Sequence, residues 1–194
     1  MRLPEIDRGD SVVSRLLISF ISLVSGMRLP DAARVAFYHK DFFSNPMGAW
    51  THAAMRGPSA WSVGERELMA ALVAKWNLCS FCVGAHRAVA AKGLECSTVD
   101  AALADYHAAP ISQGLKAALE FLEAMTLRPT ELTSKNAKAA LDAGVSAEAL
   151  KDAIAVGAIF NIVTRYANAL DFAVPMTKEF DRAASMLLKR GYGS

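Results

Sequence analysis

Apolar residues in this chain recur at helical spacing, and no stretch alternates apolar and polar residues long enough to predict a strand. An apolar run from Val12 to Val24 predicts a helix over 11–25, and further patterns predict helices over 31–39 and 46–55. Arg56-Gly57-Pro58-Ser59-Ala60 breaks the pattern. Glu65-Arg66-Glu67 opens the next helix, with acid at the positive end of its dipole. Leu68, Met69, Leu72, Val73 and Trp76 follow on one face. Asn77-Leu78 reads as a corner before a second helix from Cys79 to Lys92, and Gly93 is placed to end that helix in a left-handed conformation. Ser97 is positioned to cap a short helix, with Asp100 three residues on. Leu115, Leu119, Leu122 and Met125 mark another helix, stopped by Arg128-Pro129. Thr133 caps a helix to about Ala143, ended by Gly144. Ser146 opens the longest helix, to about Asn168, which is apolar nearly all round and so is expected to be deeply buried. A last helix covers 177–189, and Gly191-Tyr192-Gly193-Ser194 is expected as a loose tail. A shift of 82 residues lays Leu68 on Leu150, Leu72 on Ile154 and Cys79 on Asn161, which is at most a duplicated helical unit with chemistry in its first copy. The fold class is all-α, and 194 residues favour a single domain spanning 1–194.

Composition narrows the function. With 53% hydrophobic residues the chain has ample material for a core. Net charge is +2 without a run of Lys or Arg, so nucleic acid is set aside as a partner. The Val12–Val24 run is too short for a membrane span, which needs about 20 apolar residues, and it contains Arg15 and three serines. Glu5, Asp7 and Asp10 precede it, unlike the basic start of a secretory signal. It reads as a buried or interface helix, and no membrane partner is expected. Three cysteines, Cys79, Cys82 and Cys96, do not make a secreted disulfide framework. In a reducing cytoplasm, a close pair points to redox or metal chemistry.

Cys79, Cys82 and His86 stand at spacings of three and four, and so share one helix stripe. The two thiols can form a disulfide with modest adjustment, and the imidazole can exchange a proton with Cys82. A helix start at Cys79 favours thiolate there. Glu65 and Glu67 lie 14 and 12 residues before Cys79, where a tight corner brings one of them back beside His86. Glu65 reads as a solvated first-turn acid, whereas Glu67 sits beside Leu68 and Met69. Zinc is the rival reading. It needs four ligands, and the spare candidates Cys96, His39, His52 and His107 have no ligand spacing. Cys96 is taken as an incidental thiol and the three histidines as ordinary surface or core residues. Trp61 and Trp76 flank the region at core-like positions.

Glu65-Arg66-Glu67-Leu68-Met69-Ala70, then Asn77-Leu78-Cys79-Ser80-Phe81-Cys82 and Ala85-His86, resembles the signature of AhpD-like alkylhydroperoxidases of the carboxymuconolactone decarboxylase superfamily. The signature covers 62–93. The flanks, with Arg56-Gly57-Pro58-Ser59, Phe160-Asn161, Arg165 and Asn168-Ala169-Leu170, resemble the longer peroxidase-related members. The resemblance implies an AhpD-like all-α fold assembling into trimers or hexamers, or sometimes dimers. It implies reduction of organic hydroperoxides without haem, flavin or metal, so neither a cofactor nor a metal is expected. Cys82 would be the peroxidatic cysteine and Cys79 the resolving one, with Glu67 and His86 as proton relay. Trp76 and Phe81 would give an organic peroxide an apolar approach. Phe81 stands where the best-known members have a further histidine, so a lipoylated electron donor is not implied; the reductant is an unidentified dithiol or reductase. Other readings are a thiol-exchange or redox-sensing protein, a lactone decarboxylase, whose known members generally lack the cysteine pair, and a structural zinc protein.

Overall fold

The computed structural model describes residues 1–38 and 45–192, and among these there is no strand. The helices are α1 (Pro4–Arg8), α2 (Val12–Ser25), α3 (Asp31–Tyr38), α4 (Asn45–Arg56), α5 (Val63–Trp76), α6 (Ser80–Gly93), α7 (Cys96–Asp105), α8 (Gln113–Leu127), α9 (Ser134–Asp142), α10 (Ala147–Leu170) and α11 (Thr177–Arg190). The all-α expectation therefore holds. Of the predicted positions, His39 lies outside the described residues, as do Gly193 and Ser194.

Helix α5 is the central element, because it is buried nearly all round, from Leu68 through Ala74. It packs against α6, α8 and α10. One apolar cluster, with Leu72, Leu119, Leu122, Val156 and Phe160, joins α5, α8 and α10. A smaller cluster joins Ile6, Val35, Phe81, Phe172 and Phe180 around Cys79 and Cys82. Local chemistry sets the helix starts. Ser62 and Glu65 close a capping box on α5, Thr133 and Asn136 close one on α9, and Ser146 caps α10. Gly144, at φ 89°, follows the end of α9 as expected.

Several expectations are corrected. Gly93 is the last residue of α6, not a left-handed cap; a Cβ there would lie 3.0 Å from the Gly64 Cα. Its smallness lets the backbones of α5 and α6 meet. Ser97 lies inside α7, which is entered from Glu95. Glu65 is half-buried and bonded to Ser62 rather than simply solvated. Helix α10 buries one face only, and Ile162 is exposed. It is long and apolar enough to cross a membrane by length and composition, but its buried face carries Leu150, Val156 and Phe160 of the main core. The proposed repeat does not extend to the helix pair, since α10 runs unbroken through the positions that match the corner between α5 and α6. Of the two readings of α2, buried or interface, burial does not hold: Ser14 and Ile18 face inward, while Val13, Leu16, Phe20 and Leu23 form an exposed stripe.

Candidate functional site

The corner between α5 and α6 sets the geometry. Leu78 takes a left-handed conformation (φ 56°) and is 85% exposed, an unusual cost for a leucine. The turn is held from α10. Asn77 Nδ2 donates to Asn161 Oδ1 (3.0 Å), and Asn168 Nδ2 donates to the Asn77 carbonyl (2.8 Å). Asn161 and Asn168 thus buttress the turn that presents the cysteines. Cys79 is the N-cap of α6 and Cys82 lies in its first turn; both are free and buried.

At the N-terminus of α6 the pair does not share charge evenly. A hydrogen bond from the Cys82 thiol lowers the Cys79 pKa to about 7, against the cost of burial, with help from the backbone N–H groups of Cys82 and Phe81. The same contact with Cys79, together with burial, pushes Cys82 upward. The first thiolate of this coupled pair therefore rests on Cys79, and Cys82 holds its proton more tightly.

The imidazole expected to serve Cys82 stands in the next turn. His86 is 6% exposed, and its Nδ1 lies 2.7 Å from Glu67 Oε2. Glu67 is wholly buried in α5. Burial opposes ionisation of its carboxyl, but the hydrogen bond from His86 and the charge of Arg56 outweigh it and hold the pKa below the ordinary value. Arg56 Nη2 donates to Glu67 Oε1 at 2.7 Å. Arg66 fixes the corner after α4 by donating to the carbonyls of Ala54 and Gly57 (3.1 and 2.9 Å), which sets the approach of Arg56. With Nδ1 committed to Glu67, Nε2 is the ring nitrogen left to accept a proton. Phe160 packs edge-on against the ring, with centroids 4.4 Å apart.

Two cavities flank the cysteines. Cys82, His86 and Phe81 line one of about 410 Å³, whose walls are mostly apolar, including Met47, Phe160 and Phe180. Cys79, Ser80, Asn168 and Asp171 line another of about 290 Å³. Sequence reasoning brought Glu67, Cys79, Cys82 and His86 together, and the structure does place them together. Trp76, expected at the substrate approach, instead meets Tyr106 edge-on against the main core (centroids 6.0 Å apart). Trp61 donates to the Ala149 carbonyl (2.7 Å) and is also structural. Cys96 is exposed beside Arg87 and Asp100, and His107 is exposed near Glu120. Among the described residues no three His, Cys, Asp or Glu side chains group as metal ligands.

Two participants were missed. Arg56 was read as part of a helix break and of a family-like flank, not as a partner of Glu67, although a buried glutamate in α5 requires a cation nearby. Tyr192 was assigned to a loose tail, yet its hydroxyl donates to Glu67 Oε1 and Oε2 (2.8 and 2.9 Å) and lies 3.2 Å from His86 Nδ1. A lone aromatic among glycines was the only signal for it.

Two outcomes follow. Thiolate absorption of reduced protein, followed in the ultraviolet, should rise by one equivalent in a step centred near pH 7, and Cys79→Ser should abolish that step. Glu67→Gln should destabilise the protein by roughly 3 kcal/mol in urea titrations, because Arg56 is left without its anion. The sign with pH is set by the lowered pKa. The ion-pair contribution is complete above the ordinary value of 4.5 and is lost as pH falls through the depressed folded-state pKa, so the parent should lose stability with acid more steeply than the variant.

No family model and no curated protein matches the chain. Solved structures do. An uncharacterized peroxidase-related protein from Silicibacter sp. TM1040 superposes with a TM-score of 0.76 at 21% identity, covering 93% of each chain. An AhpD-core, peroxidase-related protein from Ralstonia eutropha JMP134 gives 0.74 at 23% identity, over 93% of this chain and 94% of its own. The debrominase Bmp8 gives 0.70 at 17% identity, over 91% and 94%. A cysteine-to-alanine variant of Bmp8, in complex with 2,3,4-tribromopyrrole, gives 0.67. The fold of this chain is the AhpD-like helical fold of these proteins.

Proposed function

We propose that the chain is an AhpD-like alkylhydroperoxidase that reduces organic hydroperoxides through Cys79 and Cys82. The observation that carries this reading is that Cys82 and the Glu67-bound His86 open into the same apolar cavity, whereas Cys79 lines the other one. His86 takes the Cys82 proton. The thiolate attacks the outer peroxide oxygen, the O–O bond breaks, and the alkoxide leaves as an alcohol with that proton. Cys82 is then a sulfenic acid. Cys79 attacks the Cys82 sulfur and releases water, closing the Cys79–Cys82 disulfide. The balance is one hydroperoxide and two thiols to one alcohol, one water and one disulfide. An external dithiol restores the pair by exchange, which suits a reducing compartment, the cytoplasm. No cofactor enters the scheme.

The likeness to a debrominase supports a second reading. The aromatic walls of Phe81, Phe160 and Phe180 also suit a flat haloaromatic ring. The same pair would convert an aryl bromide and two thiols to the arene, hydrogen bromide and a disulfide.

Reduced protein exposed briefly to cumene hydroperoxide should lose two thiols and two mass units, and Cys82→Ser should not. Cys79→Ser should complete one turnover without recycling. Bromide release from a bromopyrrole, without thiol loss to peroxide, would favour the second reading. Ready oxidation by a disulfide reagent alone would indicate a thiol-exchange or sensor protein.

The exposed stripe of α2 supports self-assembly. Val13, Leu16, Phe20 and Leu23 follow the three-four spacing of a helix–helix seam. We place this stripe against a second copy, in a trimer or hexamer or in a dimer. Sedimentation should show an oligomer, and Leu16→Glu with Phe20→Glu should reduce it to monomer; a monomeric parent would refute the assignment.

A further inference from the structure

Helix α11 ends at Arg190, yet the chain turns back into the molecule. Gly191 has φ 70°, and a Cβ there would stand 2.6 Å from the His52 ring, so the turn requires glycine. The Tyr192 N–H donates to His52 Nδ1 (3.3 Å). The Arg56 guanidinium lies over the Tyr192 ring, 4.9 Å from its centroid. The ring also lies nearly parallel to that of His86, with centroids 6.1 Å apart. Three contacts from two elements, α4 and α6, therefore fix a residue two places beyond a helix end. They aim its hydroxyl at the carboxylate on which His86 depends.

We propose that Tyr192 is a positioning residue of the site: its hydroxyl holds the Glu67 carboxylate against His86 and so completes the relay that serves Cys82. This rests on the reading of His86 as base for Cys82. Glu67 Oε1 accepts from Arg56 and Tyr192, and Oε2 from His86 and Tyr192. Without Tyr192, Oε2 has His86 alone, and the carboxylate is free to pivot about its bond to Arg56. Tyr192 remains a donor at working pH, because burial and then the Glu67 charge push its pKa well above the ordinary 10. The charged or titratable groups facing Glu67 are Arg56 of α4, His86 of α6 and Tyr192. His52 meets the tail's backbone instead, and Arg66 is turned to backbone carbonyls. Gly191 and Tyr192 also line the apolar cavity.

The test uses Cys79→Ser/Cys96→Ser protein, in which Cys82 is the remaining thiol. Its rate with cumene hydroperoxide, and separately with 4,4′-dithiodipyridine, is followed across the acid and neutral range. Tyr192→Phe keeps the ring and removes one donor to a buried anion. Glu67 then takes up a proton at higher pH, so the acid limb of both profiles should move upward. The rate at neutral pH should fall by about tenfold, the scale of one hydrogen bond to a charged group. The melting temperature should stay close to the parent's. Truncation after Arg190 should move the limb likewise. A Tyr192→Phe variant with the parent's rate and acid limb would overturn the proposal. So would a truncation that alters only the KM for the peroxide, since the tail would then be merely a wall. If peroxide fails to react even with the parent while the dithiodipyridine limb still shifts, the peroxidase reading falls and the positioning role stands.

Discussion

A single buried carboxylate organises this molecule. Glu67 sits in the most enclosed helix of the fold, where an unpartnered charge could not persist. Its ionised form is sustained by Arg56 from α4, His86 from α6 and Tyr192 from beyond α11. Each partner fixes another element in turn. The Arg56 approach depends on the corner held by Arg66, and the His86 approach depends on α6 lying tightly along α5. The close passage of Gly64 and Gly93 makes that approach short enough. The core is therefore not a passive support for the chemistry, because the charge in its centre dictates how the helices around it meet.

The two cysteines differ in character by position rather than by residue type. Cys79 stands at the helix N-cap, where amide N–H groups stabilise a thiolate, and it lines the more polar cavity. Cys82, one turn in, carries the retained proton and lines the apolar cavity beside the imidazole. The more acidic thiol is therefore not the one beside the imidazole. Under the proposed chemistry the acidity of Cys79 suits it to attack a sulfenic acid once Cys82 has reacted.

Much of this was legible in the sequence, because its signals were local. Helical periodicity, the helix starts at Thr133 and Ser146, and the Cys79, Cys82 and His86 spacing all lie within a turn or two of chain. The selection of Glu67 over Glu65 followed from its apolar neighbours, and the structure adds the reason: Glu65 is occupied with Ser62. What failed was long-range or depended on the partner surface. Helix α10 has an all-round apolar pattern, yet only one of its faces meets the core. The apolar run of α2 left burial and an interface both open, because nothing in the pattern says what covers its residues. Gly93 fitted a cap pattern but serves a backbone contact with Gly64, 29 positions earlier. Tyr192 followed the helix end and looked like a frayed terminus, since its partners lie 125 and 106 residues away.

The corner at Asn77 ties the reactivity of the cysteines to the order in which the chain is made. Asn161 and Asn168, which hold that corner, emerge more than 80 residues after it. Until α10 has docked, the turn at Leu78 has only local bonds to keep a leucine in a left-handed conformation. A chain still being synthesised thus carries two thiols not yet set at a rigid helix start, and their acidity develops as the fold closes. The two asparagines thus make the setting of the cysteine corner a late event of folding, complete only once α10 has packed against α5.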